Sequence, residues 1–210
     1  MNIILDTILP RRLRRVRTES RTIEDIPISP MSHDLLGVRI TTIMDYQMPE
    51  VQDLVHSLKY DGSALAADLA AHVLADYLRE ELASQNSFSV RKILLVPVPL
   101  FKTRERERGW NQIELVLRAL PTEFKNGPLS YMIVDSLIRA RETKPQTRLH
   151  RSERLSNVAG AFACPRPSLV EKTQIFLIDD VTTTGATLAN AATPLRRAGA
   201  KVTLIALARA

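Results

Sequence analysis

Short, uninterrupted apolar runs alternate with segments of helical spacing from Lys92 to the end of the chain. Lys92 to Val98, Tyr131 to Ile138, Ile175 to Ile178 and Val202 to Leu207 have the length and β-forming content of strands buried on both faces. Between them, Ile113 to Leu120 reads as a helix stopped at Pro121. A second helix follows the third run and closes on Gly199 as its C-cap, with Pro194 inside it as a kink or a late first turn. Strand–helix alternation with doubly apolar strands predicts an α/β fold, a doubly wound and mainly parallel sheet. Upstream, Val51, Leu54, Val55 and Leu58 form one helical face from Pro49, which Asp61 and Gly62 break. Ser63 then caps a helix carrying Leu65, Leu69, Val73 and Tyr77. Leu35 to Tyr46 fits a strand or a hairpin, and the first 30 residues fit a short helix and a Pro-punctuated connector. The expected organisation is a partly flexible basic arm over 1–34 and one domain over 35–210, divided into a hood with helices (35–90) and a binding core (91–210).

Composition narrows the picture modestly. The chain has 210 residues, 45% of them hydrophobic and 25% charged, as in ordinary globular proteins. Cys164 is the single cysteine, which excludes an internal disulfide and suits a reducing cytoplasm. No apolar run reaches membrane length, and the opening decapeptide lacks the basic start of a signal peptide. A cytoplasmic protein with no membrane span is therefore expected. The net charge of +6 is concentrated in two places. Residues 1–21 carry six arginines against Asp6 and Glu19; residues 139–154 carry six basic groups against Glu142 and Glu153. Such clusters attract nucleic acid or an anionic small substrate. Aromatic residues make up only 5%, and Trp110 alone sits among basic residues, which argues against a stacking platform for single strands. His56 and His72 have no partners at metal-ligand spacing and read as structural.

The chemistry concentrates in Gln174 to Leu188, QIFLIDDVTTTGATL. A buried strand ends on Asp179 and Asp180, and a polar turn leads into a helix, placing the turn at the carboxyl edge of the sheet. Amides at that helix start, with Thr182, Thr183, Thr184, Gly185, Ala186 and Thr187, would cradle a phosphate. Ala186 replaces the lysine of a Walker loop and excludes that motif. The paired carboxylates suit the vicinal hydroxyls of a ribose, with a divalent cation nearby. An Asp- and Thr-rich helix cap is the alternative. The stretch looks like the motif that binds 5-phosphoribosyl-1-diphosphate (PRPP) in type I phosphoribosyltransferases.

Two further segments complete a pocket. VPVPL runs into Arg104, Arg106, Arg108, Gly109 and Trp110, and Arg108 with the amide of Gly109 is assigned to the diphosphate. Pairing of Arg104 and Arg106 with Glu105 and Glu107 on a solvated face is the competing reading for those two arginines. Residues 141–162 read as a basic lid, with Arg141, Lys144, Gln146, Arg151 and Arg154 closing over the diphosphate, or else as an ordinary surface loop.

The order of motifs resembles the ComF family, phosphoribosyltransferase-like proteins associated with DNA uptake in competent bacteria. The matching pieces are SLKYDG at 57–62, VPVPL with RGWNQ at 108–112, the spaced residues Arg141, Thr143, Gln146, Leu149, Arg154, Asn157 and Phe162, and the PRPP stretch. The likeness spans residues 49–210. Many members carry an N-terminal zinc ribbon with two cysteine pairs, and this chain has no cysteine before Cys164. The resemblance implies Mg²⁺-dependent transfer of phosphoribose from PRPP to an unknown base or nucleotide, with Asp179 and Asp180 catalytic and indirect holders of Mg²⁺. A non-catalytic PRPP-sensing or DNA-binding module in DNA uptake is the second expectation, with residues 1–21 contacting DNA or the competence machinery. A homodimer is compatible with either.

Overall fold

The computed structural model describes residues 11–84, 91–125, 131–132, 136–141 and 160–210. Its centre is a six-stranded sheet in the order β1-β2-β8-β7-β3-β4. The strands are β1 (Met31–Leu35), β2 (Val38–Asp45), β3 (Ile93–Pro97), β4 (Tyr131–Met132), β7 (Gln174–Thr182) and β8 (Lys201–Arg209). Only β1 runs antiparallel to its neighbour; the β2–β8, β8–β7, β7–β3 and β3–β4 pairs are parallel. The doubly wound, mainly parallel α/β sheet is thus as the apolar runs predict.

Alternation along the strands divides the core in two. Leu95, Phe176, Ile178, Ile205 and Leu207 face a layer made by α2 (Pro49–His56), α3 (Ala64–Ser84), α5 (Gln112–Ala119) and α6 (Thr122–Lys125). Leu94, Val96, Ile175, Leu177 and Leu204 face α7 (Ala186–Arg197) on the other side. Both faces are covered, which is why these strands read as continuous apolar runs.

Residues 35–90 supply part of this core. Leu35 to Tyr46 is a hairpin, β1 and β2, and β2 extends the parallel sheet through β8. The α2 and α3 helices belong to one of its two covering layers. Ser63 caps α3 as expected, accepting from Ala66 N–H at 3.3 Å. The arm's helix α1 (Arg11–Glu19) lies against that layer: Arg17 and Arg21 pair with Asp53 at 2.8 and 3.0 Å, and Thr18 Oγ1 meets Ser57 Oγ at 3.0 Å.

Two expectations are corrected. Tyr131 to Ile138 is not one strand: β4 ends at Met132, and Ile138–Arg139 forms β5, paired antiparallel with β6 (Phe162–Ala163) in a separate two-stranded sheet. The apolar run is split between two packing partners. The third strand also continues past Ile178 to Thr182, because β8 pairs with it as far as Arg209. Asp179 and Asp180 therefore lie within a strand. Among the described residues, no helix is long and apolar enough to cross a membrane.

Candidate functional site

The two carboxylates are successive residues near the end of β7 and differ in their surroundings. Asp180 has the parity of Phe176 and Ile178 and enters the α2–α5 layer. There its Oδ2 takes Lys59 Nζ at 2.9 Å and Gln112 Nε2 at 2.7 Å, while Oδ1 accepts from the amide of Val181. Burial alone would push Asp180 up, but Lys59 and these hydrogen bonds outweigh it and hold it below the usual carboxylate range. For Lys59, the loss of solvation is likewise outweighed by Asp180, and its affinity for a proton rises.

Asp179 precedes Asp180 on β7 and is half-buried, within electrostatic reach of Asp180, Lys59 and Arg139. Burial first, and the neighbouring Asp180 second, push its pKa up to about 7. Lys59 and Arg139 pull the other way. Arg139, on β5, stacks its guanidinium 5.3 Å from the centre of the Phe162 ring. Burial lowers its pKa, and nearby Arg104 adds to that, while Asp179 opposes it. Arg104 thus comes near Arg139, 35 positions away in sequence, and Arg139 in turn near Asp179.

The elements holding Lys59 are unusual. Ser57 to Asp61 is a π-helical turn, a wide turn that often marks functional positions. It ends on Gly62 with φ +55°, and a Cβ there would stand 3.0 Å from two atoms of the Trp110 ring. Trp110 Nε1 donates to Leu58 O at 2.9 Å, fastening RGWNQ to SLKYDG. Asn111 accepts from Ile113 N–H as the cap of α5 and donates to Val98 O, which fixes Gln112 at Asp180. Arg108 Nη1 donates to Gln112 Oε1 at 3.1 Å and lies 5.8 Å over the Tyr60 ring.

The turn after β7 keeps its expected form with two changes. Thr182 is the last strand residue, buried, with its carbonyl accepting from Ala210 N–H, so the open turn begins at Thr183. Gly185 has φ +78°, and a Cβ there would stand 2.6 Å from Ile40 Cδ1. Glycine is required here by the hairpin beneath the turn. Helix α7 begins at Ala186, so its first amides have no intrahelical acceptor and stand at the positive end of the dipole. The amide of Gly109, expected to be free for an anion, instead donates to Glu105 O at 2.7 Å, because Gly109 closes α4 (Lys102–Arg108).

Arg141 lies on the stem of the expected lid, where Ala161 O accepts from Ala140 and Arg141 amides. Lys144, Gln146, Arg151 and Arg154 lie outside the described residues. Sequence reasoning left Lys59, Gln112 and Arg139 without roles. Lys59 and Gln112 stand inside SLKYDG and RGWNQ, the two motifs that the structure brings together, and that coincidence was the available signal. Among the described residues, no group of three or more His, Cys, Asp or Glu could hold a metal ion.

No family model matches the chain. Among curated proteins it is similar to the DNA utilization protein YhgH of Salmonella typhimurium, 32% identical over 168 residues that cover 77% of this chain and 67% of the relative. The competence protein ComFC of Streptococcus pneumoniae is 31% identical over 166 residues, covering 79% and 66%. ComFC of Bacillus subtilis is 36% identical over 109 residues, covering 52% and 40%. The chain thus spans about two thirds of the length of the first two relatives. Among solved structures, a phosphoribosyltransferase from Corynebacterium diphtheriae aligns with TM-score 0.36 and 18% identity, covering 75% of this chain and 80% of that one. A hypoxanthine phosphoribosyltransferase from Staphylococcus aureus aligns with TM-score 0.36 and 12% identity, covering 68% and 62%.

Proposed function

The chain belongs to the ComF family, and from its site we propose that it binds PRPP and transfers the phosphoribosyl group to an acceptor, releasing diphosphate. The observation that carries this reading is that Asp179 stands near the carboxyl end of β7, four residues before the threonine-rich turn that leads into the N-terminus of α7. A ribose carrying a 5-phosphate spans those two features. The phosphate would sit on Thr183, Thr184, Gly185, Ala186 and Thr187, and the ribose hydroxyls on Asp179. Arg104 and Arg139, with Arg108 nearby, would neutralise the diphosphate; Lys144 and Arg151 of the expected lid would add to them.

Asp180 is committed to Lys59 and Gln112, so it positions the strand instead of holding the ribose. The residues suit a Mg²⁺ that arrives on the substrate: Asp179 offers a carboxylate, and the arginines favour a ligand of high negative charge. When bound, that ion would offset the charge of the diphosphate. As the C1–O bond breaks, the diphosphate leaves with the electron pair and the ring becomes cationic. The carboxylate of Asp179 stabilises that cation, and the arginines stabilise the leaving group.

The relatives' names tie them to competence and DNA utilization, and we extend that setting to this chain. Arg17 and Arg21 already serve Asp53, so DNA contact by the arm would fall to its other arginines. Salt-dependent DNA affinity would test that partner. The transferase reading is tested by diphosphate release from Mg²⁺ and PRPP in the presence of candidate acceptors. Release should require Asp179; PRPP binding without release with any acceptor would instead identify a sensor.

A further inference from the structure

The arm's helix, α1, precedes the stretch over which the ComF motifs run, yet its polar contacts lead to the turn that carries Lys59. Arg17 and Arg21 each take one oxygen of Asp53, at 2.8 and 3.0 Å, in the last turn of α2. Thr18 Oγ1 stands 3.0 Å from Ser57 Oγ. Both residues are 0% exposed, so the two hydroxyls satisfy one another out of reach of water. At the far end of the turn, Asp61 lies within electrostatic reach of Arg15, whose hydrogen-bonded partner is Glu19.

Ser57 is where the wide turn starts. Its amide closes α2 on Asp53 O and Leu54 O. Its carbonyl accepts from the amide of Gly62, five residues on, where an α-helix would use Asp61. Three residues inside the turn then reach the site segments. Leu58 O accepts from Trp110 Nε1, Lys59 Nζ pairs with Asp180, and the Tyr60 ring lies under Arg108. A serine hydroxyl in a helix otherwise bonds back to the carbonyl four residues before it, here that of Asp53, and bends the helix there. Thr18 takes that hydroxyl instead.

We propose that Thr18 is a positioning residue of the site: by holding the Ser57 hydroxyl it sets the wide turn, and through the turn it keeps Lys59 on Asp180. The arm is then a working part of the site as well as a brace for the fold. The proposal rests on the PRPP reading above and adds α1 to it. Lys59 is in electrostatic reach of both Asp180 and Asp179. With Lys59 withdrawn, two adjacent carboxylates would stand unneutralised where a ligand rich in phosphate has to bind, and affinity for that ligand falls.

Calorimetry of PRPP with Mg²⁺ compares the parent with Thr18→Val, which keeps the branched shape and loses the hydroxyl, and Thr18→Ser, which keeps the hydroxyl. Each variant is titrated where circular dichroism shows it folded. Affinity should fall about fivefold or more in Thr18→Val and stay within about twofold of the parent in Thr18→Ser. Arg79→Ala, which removes the exposed pairs with Asp76 and Glu123, controls for a general loss of stability and should also stay within about twofold. Chemical denaturation of Thr18→Val, Lys59→Met and the double variant should show losses that are less than additive, since both act on one contact. PRPP binding by Thr18→Val equal to the parent's, or an equal loss in Thr18→Ser or Arg79→Ala, would overturn the proposal and leave the phosphoribosyl reading standing. Additive losses in denaturation would overturn the route through Lys59. A parent that binds no PRPP would overturn the phosphoribosyl reading, and with it the site role of Thr18, even where the denaturation losses are coupled.

Discussion

Lys59 Nζ sits 2.9 Å from Asp180 Oδ2, joining a π-helical turn to the strand that carries the acid pair across 121 positions of sequence. Both partners are largely out of solvent, so losing either leaves an uncompensated charge. Lys59→Met is expected to cost about 3 kcal/mol of unfolding free energy, and Asp180→Asn less, because the Lys59 it leaves unpaired is more exposed and keeps Asp179 nearby. The double variant should be more stable than Lys59→Met alone. Chemical denaturation of the three variants measures this coupling directly.

Asp179 gives a pH dependence of the opposite sign to a salt-bridged carboxylate. Its folded pKa, about 7, lies above its unfolded value of 3.8, so the folded state binds the extra proton between those values. Its contribution to stability is present at low pH and is lost as pH rises through 7. Asp179→Asn should therefore be more stable than the parent at pH 8, by about 1–2 kcal/mol, with the difference closing toward pH 4. Thermal melts across that range check it.

Gly62 and Trp110 are expected to be inseparable. Gly62→Ala would place a Cβ at 3.0 Å from the indole and strain a residue at φ +55°. A loss of about 2 kcal/mol is expected, with a red shift in emission from Trp110, the single tryptophan, as its ring is displaced toward water.

The basic arm should matter for stability as well as for any anion it meets. Asp53 is buried and takes one arginine on each oxygen, Arg17 on Oδ1 and Arg21 on Oδ2. Arg21→Ala is expected to cost about 1–2 kcal/mol, with Arg17 retaining part of the pairing. Equilibrium unfolding should also show that removing residues 1–21 destabilises the protein. Loss of DNA affinity after that truncation would then have two causes, to be separated by the salt dependence of the remaining binding.

Most of the sheet was legible in the sequence because strands buried on both faces must be apolar throughout, as Ile175 to Ile178 and Val202 to Leu207 are. The Tyr131–Ile138 run misled because an apolar stretch does not report that its two ends join different sheets. The acid pair was legible as chemistry but not as geometry. Adjacent carboxylates look like one bidentate site, and only the pairing of β7 with β8 through Arg209 shows that they belong to a strand, where Asp180 is taken by Lys59 and Gln112. Lys59 and Arg139 were invisible as site residues because each is drawn in by tertiary contacts 121 and 40 positions away. Gly109 carried an ambiguous signal: a glycine before a helix also closes the helix before it, and the α4 cap at Glu105 used its amide.

Calorimetric titration of PRPP with Mg²⁺ into the parent protein, Asp179→Asn and Asp180→Asn tests the central claim most directly. Asp179 is the carboxylate that the proposal assigns to the ribose, and Asp180 is held by Lys59. Saturable binding to the parent, lost at least tenfold in Asp179→Asn and changed much less in Asp180→Asn, is the predicted result. Absence of binding to the parent, or equal loss in the two variants, would contradict the account.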